Sequence, residues 1–172
     1  MNGHASAGET WIRVCARRQE LELRRGERCV LRLPVSTALN GLGEQSGSGM
    51  TPRGWHCVRA RIGAGCPSGA VFVGRRWTGE IWTPELQEQQ SERDWILSRI
   101  LWLSGLEPGF NRLGEVDTMR RFIYFHGCPD TEPMGVPLSH GCIRLRNESV
   151  ISLYERVSVG TRVWIGEGEP AP

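Results

Sequence analysis

Apolar and polar residues alternate along Trp11–Val14, Glu20–Leu23 and Cys29–Leu33, and the three runs are separated by Arg-rich turns, one of which holds Gly26. A period of two places successive side chains on opposite faces of a strand, so the pattern predicts a β-meander with Leu21, Leu23, Leu31 and Leu33 facing inward. The Gly- and Ser-rich stretch Asn40–Gly54 predicts a long, mobile loop, and loops of this length in compact domains are usually functional. His56–Ile62 and Ala70–Val73 predict two further strands. Thr83-Pro84-Glu85 carries the start signals of a helix: a capping hydroxyl, a proline in the first turn and an acid. Trp95, Ile96, Ile100, Leu101 and Leu103 then recur at helical spacing, so one substantial helix is expected, ended by Gly105. A loop over Glu107–Asp117 leads to a strand, Arg121–His126, that finishes on a histidine. Asn147-Glu148 opens a short helix with Val150, Ile151, Leu153 and Tyr154 on its buried side. Val159-Gly160-Thr161 turns into a last strand, Arg162–Ile165. The periodicity by itself reads as a mostly β chain. Residues 1–10 are expected to be a flexible N-terminus, 11–166 one domain, and 167–172 a tail.

Composition narrows the class. A chain of 172 residues with 39% hydrophobic and 23% charged residues is long enough for one domain with a real core. The net charge is only +2, and every basic residue is arginine. The paired arginines, such as Arg17-Arg18 and Arg120-Arg121, read as solvated surface rather than a nucleic-acid footprint. No apolar run approaches the ~20 residues of a membrane span. Met1–Thr10 has neither a basic n-region nor an apolar h-region, so a cytoplasmic protein is expected. The alternative is a periplasmic one whose signal peptide is missing from this chain. The six cysteines show no secreted disulfide framework. Cys15, Cys29, Cys57 and Cys66 read as small core side chains.

The chemistry is concentrated in two short stretches, Phe125-His126-Gly127 and Ser139-His140-Gly141-Cys142-Ile143-Arg144-Leu145, with His126 and Cys142 sixteen positions apart. A thiol is a nucleophile only as thiolate, and an imidazole within reach can take its proton and return it to a leaving amine. Glycines on both sides let a substrate come close to the backbone. The arrangement reads as cysteine acyl transfer.

These residues, with Asn147 behind them, resemble the signature of the L,D-transpeptidases, the YkuD domain. Upstream, Trp11-Ile12-Arg13-Val14, Leu31–Thr37 and Thr51-Pro52-Arg53-Gly54 resemble that family's opening strands and turns, so the likeness runs from Trp11 to Ile165. It implies a mixed-sheet β-sandwich with one helix inserted before the catalytic strand. It implies Cys142 as nucleophile, His126 as base, the Gly127 carbonyl as the group that orients the imidazole, and His140 as an auxiliary beside the acyl carbonyl. Arg144 matches the family's arginine and can grip a substrate carboxylate. Gly141 and Cys142 N–H groups are oxyanion-hole candidates. Ser139 joins the substrate-binding set, or simply caps the turn.

No cofactor and no metal are expected. The implied partners are peptidoglycan stem peptides or muropeptides, with neither nucleic acid nor a membrane span involved. The expected reaction cleaves the L,D bond before a terminal D-Ala through a thioester. Water as acceptor gives an L,D-carboxypeptidase of muropeptide recycling; an amine gives a transpeptidase making 3→3 cross-links. Cys128 stands close enough in sequence to approach Cys142. A rival of another class is a Cys2His2 zinc module built from His126, Cys128, His140 and Cys142.

Overall fold

The computed structural model describes residues 6–170. The N-terminal expectation therefore falls partly on residues 1–5, outside the described residues, as does the tail at 171–172. The expected meander is present as β1 (Thr10–Cys15), β2 (Glu20–Arg25) and β3 (Arg28–Pro34). Leu21, Leu23 and Leu33 are buried and Leu31 is half-buried against the same core. β4 (Gly54–Ile62) and β5 (Ala70–Val73) are the two further strands, and β6 (Arg76–Ile81) closes a hairpin with β5.

The helix begins where expected but stops early. Thr83 Oγ1 caps it by accepting from the Leu86 N–H, and α1 spans only Pro84–Gln89 with no buried residue. The apolar run after it is a ten-residue strand, β7 (Ile96–Gly105). This corrects the expected long helix. β7 is the central strand: it pairs with β4 and β5 on one side and with β8 (Tyr124–Gly127) on the other. Both its faces are covered, so it loses the alternation of a half-buried strand and reads as a continuous apolar run. Ser98, at a left-handed φ of 71°, sits in a register shift between Leu97 and Ile100 that further scrambles the period.

One mixed sheet of ten strands results, ordered β3-β2-β1-β10-β4-β7-β5-β6, with β8 and β9 (Ile143–Leu145) branching from β7. β1 runs parallel to β10 (Arg162–Gly166), β8 runs parallel to β9, and the other pairs are antiparallel. α2 (Asn147–Arg156) packs Val150, Leu153 and Tyr154 into the main core with Leu101, Leu103 and Phe125. Fully burying each such side chain contributes about 1.5–3 kcal/mol. A smaller cluster of Ala70, Phe72, Ile100 and Tyr124 forms the floor on which Cys142 rests. Among the other cysteines, Cys15 is buried in the core as expected, whereas Cys29, Cys57 and Cys66 are only half-buried.

The 40–54 loop is pinned instead of free. Arg121 reaches into it and donates to the carbonyls of Gly43, Glu44 and Met50. Glu44 takes three hydrogen bonds from Arg53, and Leu42 bridges to Thr51. Burying one flexible guanidinium among carbonyls removes the freedom that the glycine content suggests.

Candidate active site

β8 and β9 lie side by side in parallel register, pairing Phe125 with Ile143, His126 with Arg144 and Gly127 with Leu145. The two sequence stretches are thereby brought together by backbone pairing, and His126 and Arg144 become neighbours. Cys142 sits at the entrance to β9. A cavity of about 320 Å³ opens over it, lined among others by Arg75, Asp94, Arg121, His126, His140, Cys142 and Arg144.

His126 is 2% exposed. Its Nδ1 lies 2.6 Å from the Gly127 carbonyl oxygen. A carbonyl only accepts, so Nδ1 carries the proton and Nε2 keeps the lone pair of a base. Burial holds the imidazole pKa below its ordinary 6.5, outweighing the Gly127 bond and the field of Asp94. Gly127 has to be glycine here, because a Cβ would fall 2.7 Å from the Leu97 oxygen.

The Cys142 Sγ accepts from the Tyr124 backbone N–H at 3.3 Å and contacts the Phe122 carbonyl oxygen at 3.3 Å. The first contact stabilises a thiolate and the second holds a thiol proton. Burial dominates and pushes the Cys142 pKa up to about 12, against the lowering effect of Tyr124 N–H, Arg144 and Arg121. With one group shifted up and the other down, the resting pair at neutral pH is thiol and neutral imidazole. No hydrogen bond joins His126 to Sγ in this state; free enzymes often show such contacts long, and they tighten in the Michaelis complex.

The SHGC turn is held from three directions. The Ser139 hydroxyl donates to the Cys142 carbonyl and accepts from the Gly141 N–H. Thr51 Oγ1 donates to the Gly141 carbonyl at 2.9 Å while accepting from Ala38 N–H. The segment 36–39 pairs with Ser139 and Arg144. Ser139 is buried and its hydroxyl is spent inside the turn, which supports the capping role over substrate contact. Gly141 N–H is committed to Ser139, so it is not a free oxyanion donor; the Cys142 N–H has no acceptor among the described residues. His140 is exposed at the rim, and Arg144 is mostly covered with Glu132 at 3.8 Å.

A second cavity of about 290 Å³ adjoins the first and shares Asp94, His140 and Arg144 with it. Cys128 lines only this second space, where its Sγ contacts the Leu145 carbonyl, and both it and Cys142 are free thiols. Burial pushes the Cys128 pKa up to about 11. His126, Cys128, His140 and Cys142 do not gather into a ligand set, and among the described residues no three His, Cys, Asp or Glu side chains do. The zinc arrangement therefore lacks its geometry.

Sequence reasoning does not find four contributors: Arg75, Asp94, Arg121 and the Tyr124 N–H. Arg75 and Asp94 come from other elements with no local motif; Arg121 and Tyr124 lie just ahead of His126, and Arg121, expected with Arg120 to be solvated surface, instead lines the cavity and binds the 40–54 loop. Thr51 does carry a signal, the Thr-Pro turn, although not its role as a brace.

The sequence profile of the YkuD family, L,D-transpeptidase catalytic domain, matches residues 9–165. The probable L,D-transpeptidase YbiS of Escherichia coli (strain K12) is 49% identical over 43 residues, 25% of this chain and 14% of that protein. The putative L,D-transpeptidase YqjB of Bacillus subtilis (strain 168) is 40% identical over 57 residues, 33% of this chain and 31% of that protein. The matched segments thus span less than a third of either relative. An L,D-transpeptidase structure from Mycobacterium smegmatis aligns at a TM-score of 0.53 and 18% identity, over 92% of this chain and 58% of that one. Residues 123–326 of the Xylanimonas cellulosilytica L,D-transpeptidase align at 0.54 and 17% identity, over 94% of this chain and 62% of that one. These structural likenesses establish a shared fold.

Proposed function

The chain belongs to the YkuD family of L,D-transpeptidase catalytic domains, and from that premise we propose that it is a cysteine acyltransferase that removes terminal D-Ala from peptidoglycan tetrapeptides. The observation that carries this reading is the tautomer-fixed His126 sharing a cavity with the Cys142 thiol. Cys142 Sγ attacks the carbonyl of the L,D bond as its proton passes to His126 Nε2. The Cys142 N–H faces the developing oxyanion. The imidazolium then protonates the amine of D-Ala, the C–N bond breaks, and the acyl group stays on sulfur as a thioester. Arg144, next to His126 across the strand pair, holds the carboxylate of the departing D-Ala. Water, deprotonated by the same Nε2, releases the shortened peptide and restores the thiol. Each group ends as it began, so no cofactor enters the cycle.

A second reading is favoured by the adjoining cavity. It shares Arg144 and His140 with the first and gives an amine acceptor from another stem room to approach the thioester. An enzyme using it makes 3→3 cross-links. The two readings part in one assay. The protein is incubated with a disaccharide tetrapeptide, with and without a stem carrying a free side-chain amine, and products are weighed by mass spectrometry. Tripeptide alone supports the carboxypeptidase, and an acceptor-dependent dimer supports the transpeptidase. No D-Ala release under either condition overturns both.

We place the enzyme in the cytoplasm, where recycled tetrapeptides are its substrate. The six unpaired cysteines support a reducing compartment. Recovery of the native protein in a periplasmic fraction overturns this placement.

A further inference from the structure

The catalytic cavity holds a guanidinium that the mechanism above leaves unused. Gly74 and Arg75 form the tip of the β5–β6 hairpin with φ of 54° and 62°. Turns with both central residues left-handed are normally filled by Gly, Asn or Asp. An arginine there is held by its side chain. The Arg75 guanidinium lies 4.9 Å from the Trp102 ring centre and 5.0 Å from that of Phe122, and donates one N–H to Tyr124 Oη at 3.1 Å. Among the described residues no carboxylate pairs with it, and its remaining donors are free in a cavity it helps to line. A stacked, oriented and unpaired guanidinium is a carboxylate receptor.

Its place relative to the sulfur says which carboxylate. The two groups on Cys142 Sγ are the Tyr124 N–H and the Phe122 carbonyl, and Arg75 is seated on the side chains of those same residues. His126 lies farther along β8, paired with Arg144. The imidazole that takes the thiol proton must give it to the leaving amine, so the leaving D-amino acid occupies the His126–Arg144 flank. The acyl half, which remains on sulfur, then runs toward residues 122 and 124 and meets Arg75.

We propose that Arg75 is a specificity-determining residue that grips a carboxylate on the acyl half of the donor peptide. This rests on the proposed function. Two stem carboxylates have the chemistry: the α-carboxylate of a γ-linked D-Glu, and the side-chain carboxylate of a diaminopimelate third residue.

The test measures kcat/KM for D-Ala release from a diaminopimelate tetrapeptide and from two donors amidated at one or the other carboxylate. Wild type is compared with Arg75→Gln, which keeps a planar head for the rings and Tyr124 but drops the charge, and with Arg75→Lys. On the unmodified donor Arg75→Gln should lose about 10- to 100-fold, with Arg75→Lys recovering part. One amidation should cost wild type the same factor and cost Arg75→Gln nothing, which identifies the carboxylate. Arg75→Gln equal to wild type, or amidations costing both proteins alike, overturns the proposal and leaves Arg75 a staple of the hairpin. If wild type releases no D-Ala, the proposed function fails by itself. Equilibrium binding of the three donors to Cys142→Ala, with and without Arg75→Gln, then decides the inference: affinity lost on one amidation only while Arg75 is present supports it, and indifference overturns it.

Discussion

A Cβ at Gly127 would lie 2.5 Å from Asn147 Oδ1. That oxygen accepts from Ser98 Oγ at 2.6 Å, while Asn147 Nδ2 donates to the Cys128 carbonyl at 3.1 Å. The first residue of α2 therefore packs directly on the glycine whose carbonyl fixes the His126 tautomer. Gly127→Ala should force this contact and the Leu97 backbone apart, displacing the carbonyl from Nδ1. Overpacking of this kind costs about 1–3 kcal/mol. Since catalytic geometry tolerates little misplacement, kcat/KM should fall roughly 100-fold or more. Urea unfolding together with steady-state kinetics checks both parts. A variant with wild-type turnover would show that the carbonyl is not needed to orient the ring.

The opposed shifts of His126 and Cys142 set the pH dependence. Burial lowers the imidazole below 6.5, so the base is free across neutral pH and kcat/KM should lose activity on an acid limb lying below pH 6.5. Burial raises the thiol to about 12, so no alkaline rise from free thiolate should appear between pH 7 and 9. The same pair predicts slow alkylation of Cys142 at pH 7 in the resting protein, followed by peptide mass. In His126→Ala the acid limb should vanish along with most turnover. An acid limb retained in that variant would transfer the base role to His140.

β3, the last strand and the α2 helix are readable because each buries one face or stripe and keeps a clear period; β1 and β2 keep the alternation although buried on both faces, because their polar positions hold the buried pair Arg13 and Glu22. The site motif was readable because its turn is local: Ser139, Gly141 and Cys142 bond within one another's reach. β7 was not, since a strand buried on both faces carries the same apolar run as a buried helix segment, and a real helix start at Thr83 stands just ahead of it. β6 is unreadable for the opposite reason: almost wholly exposed, it has no apolar face to alternate. Arg75 reaches Tyr124 across 49 positions of sequence and Arg121 reaches the 40–54 loop across 71 to 78, and no spacing rule encodes such pairings.

Arg144 is covered by its surroundings and, among the described residues, has only Glu132 at 3.8 Å as an acidic partner, too long for a tight ion pair. Its planar donors are thus available to a substrate carboxylate. Arg144→Lys keeps the charge and loses the fork, so kcat/KM for D-Ala release should drop about 10-fold or more. A tetrapeptide ending in D-alaninamide should show little difference between the two proteins. Equal losses on both substrates would assign Arg144 to holding the Glu132 loop instead.

His56 ties stability to pH away from the catalytic cavity. The ring is fully buried, with Nδ1 3.0 Å from the Gly54 oxygen and Nε2 3.1 Å from Thr118 Oγ1. Nδ1 must donate to the carbonyl. The Thr118 hydroxyl has one proton to share between Nε2 and the Asn111 oxygen at 2.9 Å. Burial drives the pKa from 6.5 to about 4. Between those values the unfolded chain binds a proton that the native state refuses, so stability rises with pH through this window and is lost as pH falls. The full shift corresponds to roughly 3 kcal/mol. The carboxylates held low by arginines, Glu22 and Glu44, begin their own loss only below 4.5, so the two effects separate. Unfolding free energies at pH 7, 6, 5 and 4.5 should fall steadily in wild type. His56→Gln, less stable at pH 7 for want of good packing, should show a visibly shallower slope over the same range. Parallel slopes in the two proteins would mean that the buried imidazole takes up its proton without unfolding, with the Thr118 hydroxyl turned to receive it.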